Sequence, residues 1–181
     1  MADQAKGLLS PWLRKKRIEM VYPFLKGKVL DVGCGIGFLS QFIDPEHYLG
    51  IDIDEESLGI AHLKNPSKRF QKEYPSDELF DTIILLAVLE HVEDPVQFLN
   101  SLKMLLKPGG RIILTTPHPS MIKWHHWGAK VGIFSKEAGE EHKDIFDDQK
   151  IKSILTQAKL VVIHKRRFLF GANQFFVVGS P

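Results

Sequence analysis

The 181-residue sequence has the length of one domain and the composition of a globular protein, with 44% hydrophobic and 25% charged residues. Its 24 basic and 22 acidic side chains leave a net charge of +2, which argues against a nucleic-acid-binding protein with a generally basic surface. A single cysteine, Cys34, excludes an intrachain disulfide and a zinc site built on paired cysteines. Met1–Gly7 lacks the apolar region of a signal peptide, and the longest apolar run, Ile83–Leu89, is too short to span a membrane. We therefore expect a cytoplasmic protein.

Short apolar runs alternate with amphipathic segments along the first two thirds of the chain. The runs predict five strands, at Lys28–Asp31, Tyr48–Asp52, Arg69–Tyr74, Thr82–Leu89 and Arg111–Thr116. The segments between them predict helices at Gly37–Ile43, at Glu55–Lys64 behind the cap Asp54, and from Asp94-Pro95 through Leu106 to the stop at Lys107–Gly110. This order favours an α/β fold with a doubly wound parallel sheet.

The end of the chain departs from this alternation. Asp147 is a suitable cap for a further helix, and two strand-like runs follow at Leu160–Phe170 and Gln174–Val178. Three residues separate these runs, so they are expected to form an antiparallel hairpin. Residues 1–27 read as an N-terminal helical extension to a domain at 28–181. Within that domain, residues 117–146 form an insertion long enough to act as a lid.

The chemistry begins at the glycine-rich turn Asp31–Gly37, which reads D-V-G-C-G-I-G. Glycines between a strand and a helix let the backbone approach a ligand closely. Phe38 stands where the dinucleotide-binding pattern G-x-G-x-x-G needs its last glycine, which disfavours a nicotinamide oxidoreductase.

The turn and three further motifs resemble the class I S-adenosylmethionine-dependent methyltransferases. They are V-L-D-V-G-C-G-I-G (29–37), Y-L-G-I-D-I-D (48–54), F-D-T-I-I-L-L-A-V-L-E-H-V (80–92) and L-K-P-G-G-R-I-I-L-T-T-P (106–117), in the family's order and at its intervals. The resemblance covers residues 28 to 181. It implies a Rossmann-like, mostly parallel sheet, S-adenosyl-L-methionine as cofactor, and similarity to the small-molecule branch typified by ubiquinone-biosynthesis enzymes.

The resemblance also implies roles for single residues at this edge of the sheet. Asp52 would accept both ribose hydroxyls, although a helix-capping role is an alternative. Asp31 would face the methionyl ammonium; alternatively, its carboxylate bonds nearby backbone amides. Arg17 would approach the cofactor's carboxylate, or lie on a solvated surface. Ile53 would cover one face of the adenine, or belong to the core.

The remaining cofactor contacts are expected through the backbone. They involve Gly33, Cys34, Gly35 and Gly37 in the turn, and Leu86 and Ala87 near the methionine portion. The family's acidic and hydrophobic pair after the third strand has no clear counterpart. Glu73-Tyr74 and Asp77 are the available residues there, and the adenine contact is left unassigned.

Two histidines are candidate catalytic residues, because each follows a strand at the edge that would face the acceptor. His91 and His118 would orient the acceptor or remove its proton, or merely close their turns. Trp124–Trp127 and His142 lie in the insertion, where an aromatic acceptor pocket or plain packing is favoured over a metal site. No metal is therefore expected.

Taken together, the sequence predicts an enzyme that transfers a methyl group from S-adenosylmethionine to a small molecule by in-line displacement. An RNA or protein methyltransferase is one alternative, and a non-catalytic cofactor-binding subunit is another. Nucleic acid is not an expected partner, and the oligomeric state is left open.

Overall fold

The computed structural model of the chain describes residues 10–119 and 146–181, which form a seven-stranded sheet with helices on both faces. The strands are β1 Val29–Val32, β2 Tyr48–Ile51, β3 Arg69–Gln71, β4 Phe80–Leu86, β5 Leu106–Pro117, β6 Val161–Phe168 and β7 Asn173–Gly179. The helices are α1 Ser10–Val21, α2 Glu55–Lys64, α3 Pro95–Lys103 and α4 Asp148–Gln157.

The strand order is β3-β2-β1-β4-β5-β7-β6. The first five strands pair in parallel, whereas β7 is antiparallel to both β5 and β6. This confirms the predicted doubly wound sheet with an antiparallel hairpin at its end. The order reverses between β1 and β4, and in such sheets ligands bind at the carboxyl ends of the strands beside that point.

Each face of the sheet carries its own apolar layer. On one face, Leu30 and Ile83 pack with Leu99 of α3 and Ile151 of α4. On the other, Val29 and Ile84 pack with Ile18 and Val21 of α1, while Leu58 and Ala61 of α2 pack on Tyr48 and Phe70. Part of the N-terminal extension therefore shares the core of the domain.

Two helix starts follow their capping residues as the sequence predicts. The side chain of Asp94 accepts hydrogen bonds from the backbone N–H groups of Val96 and Gln97, at 3.0 and 2.9 Å. Asp147 does the same for Gln149 and Lys150 at the start of α4. Each cap satisfies two N–H groups that have no partner inside the helix.

The helix predicted at Gly37–Ile43 is wrong: the chain there forms a single 3₁₀ turn, Leu39–Phe42. The backbone N–H and the hydroxyl of Ser40 both donate to the Gly37 carbonyl, at 3.2 and 2.7 Å. A backbone bond to the third residue back is 3₁₀ geometry, and the hydroxyl reinforces it.

Two strand boundaries also differ from the prediction. Helix α3 ends at Lys103, so Leu106 lies at the start of β5 and not in the helix. Strand β4 ends at Leu86 because Ala87 has a positive φ of 59°, which turns the chain into a short 3₁₀ segment at Leu89–His91.

The insertion is described only at its two ends. Pro117 ends β5, and Phe146 is fully buried in the core. Residues 120–145 lie outside the described part, as do Trp124–Trp127 and His142, so the lid and the domain division stay predictions. No helix within residues 10–119 or 146–181 is long and apolar enough to cross a membrane.

Candidate functional site

The glycine-rich turn lies at the carboxyl end of β1, beside the point where the strand order reverses. All three of its glycines have positive φ, at 74° for Gly33, 53° for Gly35 and 72° for Gly37. A Cβ added at Gly33 would lie 2.6 Å from Val88, and one added at Gly37 would lie 2.7 Å from the Phe70 ring. A Cβ at Gly35 would meet nothing within 4 Å. Gly33 and Gly37 thus allow close packing, whereas Gly35 faces open space.

The carboxylate of Asp52 joins this turn to the end of β2. Its Oδ2 accepts a hydrogen bond from the Gly35 N–H at 2.7 Å, and its Oδ1 accepts one from the Asp54 N–H at 3.0 Å. Each carboxylate oxygen has two lone-pair positions, so both oxygens retain capacity to accept a further bond from a hydroxyl. Asp52 is partly exposed and lies beside the open Gly35.

Asp31 is nearly inaccessible, with 3% of its surface exposed, and the Tyr48 hydroxyl donates to its Oδ2 at 2.7 Å. Burial raises the pKa of Asp31 to about 7; the Tyr48 hydrogen bond opposes that rise and the nearby Asp52 adds to it. Burial, with Asp31 and Asp52 close by, also raises the pKa of the Cys34 thiol well above its usual range. Cys34 is therefore a neutral thiol and not a nucleophile.

The neighbouring residues differ in exposure. Ile53 is 86% exposed next to Asp52, so it does not belong to the core and its side chain is free to cover a ligand. Leu86 and Ala87 are partly buried at the end of β4. The Ala87 N–H donates to the Thr115 carbonyl at 2.9 Å, so that N–H is already engaged within the sheet.

Arg17 reaches this edge from α1. Its Nη2 donates to the Asn173 side-chain oxygen at 3.5 Å, at the start of β7. Burial lowers the pKa of Arg17, and the charge of Glu90 opposes that change. An arginine remains charged under these conditions. Arg17 thus brings a positive charge to the carboxyl edge, where the expected carboxylate partner would lie.

Glu90 was not among the site residues that the sequence predicted. It lies in the short segment after β4 and is fully buried. Burial raises its pKa to about 7, while a backbone hydrogen bond and the charge of Arg17 oppose the rise. A carboxyl group is costly to bury, and buried carboxyl groups are common at functional sites. The sequence signal for this position is the pair Glu90-His91 directly after an apolar strand.

The two candidate histidines have different surroundings. The side chain of His91 is exposed at the end of the segment Leu89–His91. The backbone N–H of His91 donates to the Val88 carbonyl. His118 follows β5, and its Nε2 lies 3.0 Å from Nη2 of Arg167, which also binds Asp148 at 2.6 Å. Burial and the Arg167 charge lower the pKa of His118. Because an arginine only donates, Nε2 of His118 accepts the Arg167 N–H, and the lowered pKa favours the neutral ring.

The described residues hold no group of three or more His, Cys, Asp or Glu side chains arranged to bind a metal. Near the end of β3, the Gln71 side chain donates to the Glu73 carbonyl at 2.7 Å. This contact stabilises the local backbone and does not identify an adenine-binding residue.

A glycine turn, an acid at the end of each of the first two strands and a sheet of this order define a methyltransferase-type α/β domain. The family model described as a methyltransferase domain matches residues 6–165. The chain belongs to this family, and the resemblance found in the sequence is confirmed.

The relatives include ubiquinone biosynthesis O-methyltransferases. The protein from Aeromonas salmonicida is 32% identical over 101 residues, which cover 49% of this chain and 42% of that protein. The protein from Pseudomonas aeruginosa is 31% identical over 153 residues, which cover 65% of this chain and 66% of that protein. The chain thus spans between about two fifths and two thirds of the length of these relatives.

Among solved structures, the N-methyltransferase NodS from Bradyrhizobium japonicum, in complex with S-adenosyl-l-homocysteine, has the same fold. The two share 15% sequence identity with a TM-score of 0.69, covering 99% of this chain and 91% of NodS.

Proposed function

We propose that this chain binds S-adenosyl-L-methionine and transfers its methyl group to a hydroxyl of a small molecule. The observation that carries the proposal is the contact between Asp52 and the Gly35 N–H, beside the open space at Gly35. It joins a carboxylate to a backbone turn that a ligand can approach closely. The relatives named as O-methyltransferases support the choice of a hydroxyl acceptor.

The charged side chains at this edge of the sheet match the polar groups of the cofactor. S-adenosylmethionine carries two ribose hydroxyls, an ammonium and a carboxylate, and this edge offers acids for the first two and Arg17 for the third. In the proposal, Asp52 accepts the ribose hydroxyls, Asp31 receives the ammonium, and the backbone of Gly33, Gly35 and Gly37 allows close approach. Ile53, 86% exposed, covers the adenine.

The cofactor, when bound, supplies a methyl group already activated on a sulfonium. The protein then needs to orient the acceptor and exclude water. In the proposal, His118 takes the proton that a hydroxyl loses, for which its Nε2 must first release the Arg167 N–H. His91, exposed beside the buried Glu90, is the second candidate for orienting the acceptor.

The test combines binding and transfer. Calorimetry with S-adenosylhomocysteine should give binding that Asp52→Asn weakens about 10- to 100-fold, the range for a hydrogen bond to a charged group. Asp54→Asn is the matched control, since Asp54 lies two residues away and accepts from Ser57 rather than from the turn. Its affinity should stay within about twofold of the wild type, because the bond it alters lies outside the turn.

Transfer is measured with methyl-labelled cofactor against a panel of catechols, phenols and small amines, with RNA and unfolded protein as parallel arms. Label in a catechol or phenol supports the proposal. Absence of cofactor binding overturns it. Label in amines, RNA or protein instead overturns the choice of acceptor, and binding without any transfer favours the non-catalytic alternative.

A further inference from the structure

Within the described part of the chain, the Tyr48 hydroxyl is the side chain that donates a hydrogen bond to the Asp31 carboxyl group, and the space for this contact depends on Gly50. Asp31 pairs with Gly50 in the register of β1 and β2, and Tyr48 lies two residues earlier on the same face of β2. A Cβ added at Gly50 would lie 2.8 Å from the Tyr48 hydroxyl and 2.9 Å from Cys34 Sγ. The space that Gly50 leaves is therefore the slot through which the hydroxyl reaches Asp31.

Tyr48 is held in this slot by packing. It is 1% exposed, and its ring meets that of Phe70 edge to face, with ring centres 5.7 Å apart. A buried tyrosine hydroxyl needs a hydrogen-bond partner, and the 2.7 Å bond to Asp31 Oδ2 provides it. Burial beside Asp31 raises the pKa of Tyr48 far above its usual range, so the hydroxyl keeps its proton and donates it.

We propose that Tyr48 is a positioning residue that keeps Asp31 ionised and oriented, so that Asp31 can bind the cofactor's ammonium. This inference rests on the proposed function. Tyr48 itself does not touch the cofactor. It acts because a hydroxyl that donates to a carboxylate stabilises the ionised form more than the neutral form.

The other groups facing Asp31 act in the opposite direction. Asp52, from the end of β2, carries a like charge, and Cys34 of the turn is a neutral thiol. Burial itself favours the protonated acid, and with the Tyr48 bond in place the pKa of Asp31 is about 7. Without that bond the pKa would rise further, and fewer Asp31 side chains would be charged at neutral pH.

The test is the affinity for S-adenosylhomocysteine from pH 6 to 8.5, measured by calorimetry for the wild type and Tyr48→Phe. Loss of one such bond corresponds to a pKa increase of about one unit. We expect Tyr48→Phe to bind about tenfold more weakly at pH 6 and less than about twofold more weakly at pH 8.5. Titration of the ligand's own ammonium affects both proteins equally and cancels in this ratio.

Three further variants make the outcome specific. Tyr22→Phe, on an exposed tyrosine before β1, is the matched control and should leave the affinity unchanged at every pH. In the Asp31→Asn background, Tyr48→Phe should have no further pH-dependent effect. Thermal unfolding without ligand should show Tyr48→Phe folded at each pH.

Each result decides between the two proposals. A tenfold loss that is the same at all pH values means that Tyr48 has a structural role and overturns this inference, as does wild-type affinity throughout. If the wild type binds no S-adenosylhomocysteine, the proposed function itself is overturned, and the inference about Tyr48 is overturned with it. A pH-dependent ratio that disappears in Asp31→Asn supports the inference.

Discussion

Replacement of each turn glycine by alanine should separate the packing role of this turn from its ligand-binding role. Gly33, Gly35 and Gly37 all have positive φ, so each alanine carries a similar backbone cost of about 1–2 kcal/mol. What differs is the space around the added methyl group. The three variants are therefore controls for one another.

For Gly35→Ala the methyl group meets nothing within 4 Å, and the backbone cost of about 1–2 kcal/mol should be the whole loss of stability. For Gly37→Ala the methyl group would lie 2.7 Å from Phe70 and 3.2 Å from Ala61, both buried. Overpacking adds about 1–3 kcal/mol, so we expect a total near 2–5 kcal/mol. Gly33→Ala should fall between them, because Val88 is partly buried and presents the tip of a side chain.

Urea denaturation measures the loss of stability, and calorimetry with S-adenosylhomocysteine measures binding by the folded fraction. Gly35→Ala should lose the least stability yet bind at least about tenfold more weakly, because its methyl group occupies the space that the ligand needs. Wild-type affinity in Gly35→Ala, or a loss of stability equal to that of Gly37→Ala, would refute this reasoning.

Two further predictions concern the stability of the folded chain. Burial raises the pKa of Asp31 and of Glu90 to about 7, from ordinary values of 3.8 and 4.5. The folded state therefore holds these protons more tightly than the unfolded state, so stability should fall as the pH rises from about 4 to 7, by roughly 3–4 kcal/mol per group at most. Urea denaturation at pH 5 and 7.5 should show this decline, and Asp31→Asn should reduce it; an unchanged slope would contradict the assignment. Lys159 follows α4 with a φ of 52°, so Lys159→Gly should raise the free energy of unfolding by about 0.5–1 kcal/mol, seen as a higher melting temperature, whereas a lower one would argue against that backbone conformation.

The sequence predicted those features that depend on local patterns. Apolar runs and helix caps gave the order of strands and helices, and the short separation of the last two runs required a hairpin. Asp52 was assigned from the family resemblance and its place at the end of the second predicted strand, and the structure bonds it to the turn at 2.7 Å. Such signals extend over a few residues and do not depend on how distant segments pack.

Some features that the sequence did not predict depend on pairing between distant segments, and others on local backbone geometry. The Tyr48 hydroxyl reaches Asp31 because β1 and β2 pair in one particular register, with Gly50 opposite Asp31. Glu90 lies in the short segment that follows the turn at Ala87, and an alanine gives no sign of a positive φ. Gly37–Ile43 has helical periodicity, but the Ser40 hydroxyl competes for the Gly37 carbonyl. The strand register is invisible in a single segment, and the other two causes are local geometry that apolar periodicity does not reveal.

Two partly exposed acids at the amino edge and two buried acids at the carboxyl edge have opposite pKa shifts. At the amino edge, Glu78 binds Arg69 and Lys28, which lower its pKa to about 2, and Asp81 binds Lys107 at 2.7 Å, with its pKa also lowered. At the carboxyl edge, Asp31 and Glu90 are buried and their pKa values rise to about 7. Ion pairs also occur at the carboxyl edge, as Asp148 with Arg167 shows, but Asp31 and Glu90 are acids whose burial lowers stability at neutral pH. A ligand that brings positive charge to the carboxyl edge would lower the pKa of these acids and recover the stability that their burial costs. S-adenosylmethionine, with its ammonium and sulfonium, is a ligand of that kind.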